Sequence, residues 1–194
     1  MMGKAALIDA IAPTNRGLLA NELQRQAILA AIANLEDLNP TPRPVEAANL
    51  LDGNWQLLYT TSKALLNLDR LPFCKLGQIY QCIRSETTSV YNIAEIYGLP
   101  YLEGLVSVAA KFEPVSGRRV QVKFNRSIIS LQRLIDYNSP EYFIHQIESG
   151  KKFTGIDLPI SSENQQGWLD ITYIDDNLRI GRGNEGSVFV LRRT

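Results

Sequence analysis

The stretch Leu51-Asp52-Gly53-Asn54-Trp55-Gln56-Leu57-Leu58-Tyr59-Thr60-Thr61-Ser62 decides the reading of the chain. Trp55, Leu57 and Tyr59 alternate with Gln56 and Thr60, the period of a strand with one buried and one wet face. The same period returns at Val106, Val108, Ala110 and Phe112, at Val120, Val122 and Phe124, and at Leu169, Ile171 and Tyr173. Gly117, Asp176-Asn177 and Asn184-Glu185-Gly186 supply turn chemistry between these runs. About eight short strands are expected between Gly53 and Arg193, with no long helical pattern to connect parallel neighbours. Closure of such strands into an antiparallel barrel removes exposed edges, and eight strands leave room for side chains or one small apolar ligand.

Upstream of this stretch the period is helical. Met2 to Ala12 is expected to form a short helix that Pro13 ends. Asn21 is then an N-cap, with Gln24 completing a capping-box variant. Leu23, Ala27, Ala30, Ala31 and Leu35 form one apolar stripe, expected to pack against the rest of the domain. Pro40, Pro42 and Pro44 stop the helix. The chain thus divides into a helical segment, residues 1–44, and a β-domain, residues 45–194.

Composition fits this division. The 194 residues are 45% hydrophobic, and a domain of that size buries roughly 70% of its unfolded surface without needing a disulfide or metal. Twenty basic residues balance twenty acidic ones, which argues against a nucleic-acid binder. No apolar run is long enough to span a bilayer, and Asp9 interrupts the one candidate for a signal, so a soluble intracellular chain is expected. Cys74 and Cys82 would stand about 26 Å apart along a strand, beyond disulfide reach, and match no zinc spacing.

Motifs for catalysis are weak. Gly181-Arg182-Gly183-Asn184-Glu185-Gly186 spells a dinucleotide fingerprint, but a strand-like segment follows it and the sequence ends at Thr194, so it reads as a hairpin. Asp175-Asp176-Asn177 reads as a polar turn rather than a calcium loop. The single imidazole, His145, falls in Tyr142-Phe143-Ile144-His145-Gln146-Ile147, which reads as a strand. A cofactorless enzyme would have to draw on His145, Glu141 and Glu148. No catalytic residue, metal ligand or cofactor is assigned. Leu71-Pro72-Phe73, Leu99-Pro100-Tyr101 and Leu158-Pro159-Ile160 repeat one pattern in apparent loops, and Phe73, Tyr101 and Ile160 are candidates for membrane contact.

The residues 51–62 and the closing run Asp175 to Leu191 resemble the signatures of the plastid-lipid-associated protein family, the fibrillins or plastoglobulins. Thr14-Asn15-Arg16-Gly17 and Leu38-Asn39-Pro40-Thr41-Pro42 are similar to its helical prelude, and the lack of a transit peptide suits a cyanobacterial-type member or a mature plant plastid protein. The resemblance implies a lipocalin-like barrel without enzymatic activity. It further implies binding of a carotenoid, prenylquinone or other isoprenoid lipid near thylakoid membranes, a cytoplasmic or plastid location, and a part in photoprotection or lipid handling. An alternative it carries is a protein-interaction module that docks a prenyl-lipid biosynthetic enzyme. Gly53-Asn54-Trp55 matches the Gly-x-Trp element of lipocalins, so Gly53 and Trp55 are expected to close one barrel end beneath Arg182 or Arg192. The expected lumen is lined by Tyr59, Val108, Phe112, Val122, Phe124, Ile171 and Tyr173, provided no strand carries a bulge.

Overall fold

A computed structural model describes residues 2–67, 74–98, 100–161, 167–184 and 186–194. Helix α1 (Met2–Ile11) runs into a 3₁₀ turn around Pro13, and α2 (Glu22–Asp37) starts at the expected capping box. Asn21 Oδ1 accepts from the Gln24 amide at 2.8 Å, and Gln24 Oε1 accepts from the Asn21 amide at 3.0 Å. Between the helices the chain crosses the sheet closely, at the Arg16–Tyr59 bridge. Gly17 is required there: its φ is +103°, and a Cβ would lie 2.5 Å from the Thr60 carbonyl oxygen.

Two short helices, α3 (Ala48–Leu51) and α4 (Lys63–Leu66), flank the first strand of the sheet, whose strands in chain order are β1 (Gly53–Thr60), β2 (Lys75–Arg84), β3 (Ser89–Tyr97), β4 (Gly104–Pro114), β5 (Arg119–Leu131), β6 (Ile156–Pro159), β7 (Gly167–Ile174), β8 (Leu178–Gly183) and β9 (Val188–Arg193). All pairings are antiparallel. The order is β4-β3-β2-β1-β9-β8-β7-β5, and β4 pairs again with β5, so eight strands close into a ring. The ninth, β6, adds to the second half of β5, opposite Arg126 to Ile129. The expected mainly β, lipocalin-like architecture is therefore present.

Three apolar clusters organise the molecule. One fills the ring from Leu51 and Trp55 to Ile171 and Leu191. A second lies outside it, where Leu7, Ile11, Ile28, Ile32 and Leu35 of α1 and α2 cover Tyr59, Tyr173, Ile180 and Val190. The packed stripe of α2 is thus Ile28, Ile32 and Leu35, whereas Leu23, Ala27 and Ala30 of the expected stripe face away, Leu23 being 78% exposed. The larger Ile side chains remove more apolar area from water than Ala does, so they take the sheet.

The third cluster overturns one expectation. Residues Pro140–Glu148 form a helix, α5, rather than a strand. Ser139 caps it by accepting from the Tyr142 amide at 3.2 Å, and Pro140 takes a first-turn position that needs no donor. Its buried residues, Phe143, Ile144 and Ile147, pack on Cys82, Ile93, Leu105 and Ile128 across the outer face of β2–β5. Strands covered outside as well as inside lose their alternation, and β3 is accordingly buried at all but two of its nine positions.

Candidate functional site

The antiparallel ring brings the start of β1 beside the ends of β2 and β9 and the start of β8. Trp55 occupies this end of the interior and is fully buried. Its indole N–H donates to the Leu51 carbonyl at 3.0 Å, so α3 and the ring close together here. Trp55 stands opposite Arg193 in the β1–β9 register. The guanidinium of Arg193 lies 4.4 Å from the ring centroid, and that of Arg179 lies 4.9 Å from it. Each contact contributes about 0.5–2 kcal/mol. Arg193 also donates to the carbonyls of Asp52 at 2.6 Å, Asp176 at 2.8 Å and Leu50. Gly53 is needed beneath it, because a Cβ there, at φ +123°, would fall 2.7 Å from Arg193 Nη1.

The cations over Trp55 are therefore not those expected. Arg182 faces outward and forms a two-pronged ion pair with Glu36 of α2, at 2.7 and 2.8 Å. Arg192 donates to Gln56 at 2.7 Å. Parity explains the exchange: Arg179 and Arg193 share the inward face of β8 and β9, and Arg182 and Arg192 fall on the alternate positions.

Above Trp55 the ring encloses a cavity of about 440 Å³. Val108, Phe112, Val122, Phe124 and Ile171 line it, joined by Leu57, Ile79, Leu169, Phe189 and Leu191. Tyr59 and Tyr173 do not. The register slips between Leu57 and Tyr59 on β1 and between Ile171 and Tyr173 on β7, and each bulge turns its tyrosine outward beneath α1 and α2. The cavity reaches from Leu51, Ile83 and Arg179 at the Trp55 end to Ser62, Ala64, Leu65, Asn184 and Ser187 at the far end.

Three of its polar groups, Asn92, Gln81 and Arg179, form one line. Asn92 Oδ1 accepts from Gln81 Nε2 at 2.9 Å, and Gln81 Oε1 accepts from Arg179 Nη2 at 2.5 Å. Arg179 is 1% exposed, and burial lowers its pKa to about 9, which leaves it charged at neutral pH. Among the described lining residues there is no carboxylate or imidazole. His145 is exposed on α5, outside the ring. Glu141 accepts from Arg84 and Asn54, and Glu148 from the Tyr91 hydroxyl. Cys82, under α5, has its thiol pushed up to about 12 by burial and is inert at neutral pH. Sequence reasoning passed over Arg179, Gln81 and Asn92, and shared parity with Trp55 was the signal available for Arg179.

Of the membrane-contact candidates, Tyr101 is 74% exposed and holds a positive φ of 70°. Leu158-Pro159 belongs to strand β6 rather than to a loop, with Leu158 58% exposed and Ile160 half-buried. Phe73 lies outside the described residues. Sequence reasoning missed the neighbours of Tyr101 and Leu158: Tyr97, Leu102, Ile129, Leu134 and Ile156 are also exposed, all near the ends of β3 and β5, the start of β4, or β6. These positions lie at the end of the ring away from Trp55. No described helix is long and apolar enough to cross a membrane.

A closed antiparallel ring around an apolar hollow, with a Gly-x-Trp element at one end, defines a lipocalin-like β-protein. The chain belongs to the PAP_fibrillin family, whose model matches residues 1–192. It is 38% identical to a light-induced chloroplastic protein of Solanum tuberosum, over 97% of this chain and 66% of that protein. It is 36% identical to a chloroplastic plastid-lipid-associated protein of Citrus unshiu, over 96% of this chain and 66% of the relative. It is 37% identical to the chromoplast-specific carotenoid-associated protein C2 of an Oncidium hybrid cultivar, over 97% and 67% respectively. The chain thus spans about two thirds of the length of these relatives. No solved structure matches it.

Proposed function

We propose that this chain is a non-enzymatic carrier that holds one small hydrophobic molecule inside the ring. The class is a carotenoid, prenylquinone or other isoprenoid lipid, as the names of the Citrus and Oncidium relatives suggest. The observation that carries this reading is the apolar cavity of about 440 Å³ inside the ring, a size suited to one drug-sized ligand. Each Å² of ligand surface buried there contributes about 25 cal/mol. The exposed apolar side chains at the far end, Tyr101, Leu102, Ile129, Ile156 and Leu158, serve as a lip that rests on a thylakoid membrane and passes the ligand between bilayer and cavity. Lipid handling and photoprotection follow from keeping such a molecule out of water and apart from its neighbours. Organic extraction of the purified protein, followed by mass spectrometry, should recover a bound isoprenoid. Finding none, together with no uptake of added carotenoid or quinone, overturns the carrier reading.

A second reading is favoured by the uncovered stripe on α2. Leu23, Ala27 and Ala30 face solvent beside exposed Leu19, a surface suited to docking a prenyl-lipid biosynthetic enzyme. Co-purification of such an enzyme with the chain, lost in Leu23→Asp with lipid content unchanged, would favour this reading over the carrier.

A further inference from the structure

The interior holds one charge that its surroundings do not balance. Arg179 is buried in the wall of the cavity, and Nη1 of its guanidinium has no acceptor among the described residues. Nη2 donates one hydrogen bond, to Gln81 Oε1 at 2.5 Å. Gln81 is held in this orientation by its own amide nitrogen, which donates to Asn92 Oδ1 at 2.9 Å, and as a neutral group it supplies no countercharge. None of the described ion pairs includes Arg179 or Arg193. Nearby Cys82 carries no countercharge while its thiol stays protonated. The line Asn92–Gln81–Arg179 therefore ends in a cation in the wall of the hollow, with one nitrogen unpaired and a second cation, Arg193, nearby.

A buried cation without a countercharge is costly in a domain of ordinary stability, so an anionic group brought beside it in the cavity gains from pairing with it. A pure hydrocarbon cannot supply one. A quinone carbonyl can accept the hydrogen bond but leaves the charge unbalanced. A carboxylate does both, and Arg recognises it through paired, charge-assisted hydrogen bonds.

Resting on the carrier reading above, we infer that the preferred occupant is a long apolar chain ending in a carboxylate, bound head-inward with its carboxylate on Arg179 Nη1. The chain then runs from Arg179 past Phe112 and Phe124 toward Leu65 at the far end, where the cavity walls are apolar. Arg179 is thus a specificity-determining residue as well as a partner of Trp55.

The test compares the fluorescent fatty acid cis-parinaric acid with its methyl ester at neutral pH, on the intact chain. The two share one tail, so the head group alone separates them. The acid should bind at least about tenfold more tightly than the ester, the effect of one charge-assisted hydrogen bond in a dry site. Arg179→Gln should erase that preference by weakening the acid while leaving the ester within about threefold. Because Arg179 also lies over Trp55, a second measurement needs no variant: oleate labelled with ¹³C at the carboxyl should titrate, when bound, at a lower pH than it does free. Equal affinity of the intact chain for acid and ester overturns the head-group inference and leaves the carrier reading standing, as does a bound carboxyl that titrates higher than the free one. Failure of both acid and ester to bind overturns the inference, and the carrier reading falls with it only if added carotenoid and quinone are not taken up either.

Discussion

The two ends of the ring are built on opposite terms. At one, Trp55 is fully buried, Leu51 of α3 packs inside, and Arg193 ties three carbonyls across the chain ends. At the other, Tyr97, Tyr101, Leu102, Ile129, Ile156 and Leu158 stand exposed. Folding alone would favour hiding the large apolar residues of both ends, because each left in water forgoes about 1.5–3 kcal/mol of burial. The contrast teaches that stability is concentrated around Trp55, and that the far end keeps a surface whose use lies outside the chain.

The comparison is broken most severely at Trp55. Trp55→Ala removes the side chain on which Arg179 and Arg193 lie, and opens a cavity at the closed end. A loss of about 3–5 kcal/mol is expected, read as a lower urea midpoint by circular dichroism. A change below about 1 kcal/mol would show that the helices and outer clusters, rather than this end, hold the ring.

The far end should respond in the opposite sense. Tyr101→Asp with Leu158→Asp is expected to leave the urea midpoint within about 0.5 kcal/mol, since both side chains are mostly exposed. Flotation with liposomes of thylakoid lipid composition should fall about tenfold, the loss of roughly 1.4 kcal/mol of interfacial burial. Unchanged flotation would remove the lip from any membrane role, and lost stability would make it part of the core.

How much of this was legible in the sequence depended on whether a pattern had one solution. The run Gly181 to Gly186 did: a strand after it excluded a nucleotide loop, and β8 and β9 do form a hairpin there, with the Gly183 amide donating to the Ser187 carbonyl. The capping box at Asn21 and Gln24 was local and complete. Helix α2 instead offered two stripes, Leu23-Ala27-Ala30 and Ile28-Ile32-Leu35, and only the sheet beneath it decides between them. Segment 142–147 was apolar at too many positions to separate strand from helix by period, although Ser139-Pro140-Glu141 carried a start signal. The bulges that evict Tyr59 and Tyr173 left no mark on the period of two, because a bulge is set by the pairing with β9 and β8. The arginines had a plainer cause: along the regular β8–β9 register Arg182 and Arg192 sit on the alternate positions to Arg179 and Arg193, and so face away from Trp55.

The smallest expected effect concerns what fastens β6 to the far end. Asp157 accepts from Arg126 Nε at 2.8 Å and Nη2 at 2.7 Å, and from the Phe153 amide at 2.9 Å. The Arg126 guanidinium chiefly holds its carboxyl below the usual carboxylate range. A folded-state pKa below the unfolded one means that the folded state binds the proton less readily. The contribution of Asp157 is therefore complete above about pH 4, the unfolded value, and is lost as the pH falls through the lower folded one. Among the described strands β6 pairs with β5 alone, so the loss should appear as local opening rather than global unfolding. Hydrogen exchange corrected for intrinsic rates should show amides of Ile156 to Leu158 opening more often as the pH drops below that range, by roughly tenfold at most. Amides of β1 and β9 beside Trp55 should hold. Asp157→Asn should open the same amides at neutral pH and remove their pH dependence. Equal opening at both ends of the ring in acid would show that this ion pair does not fasten the strand and that the two ends share one stability.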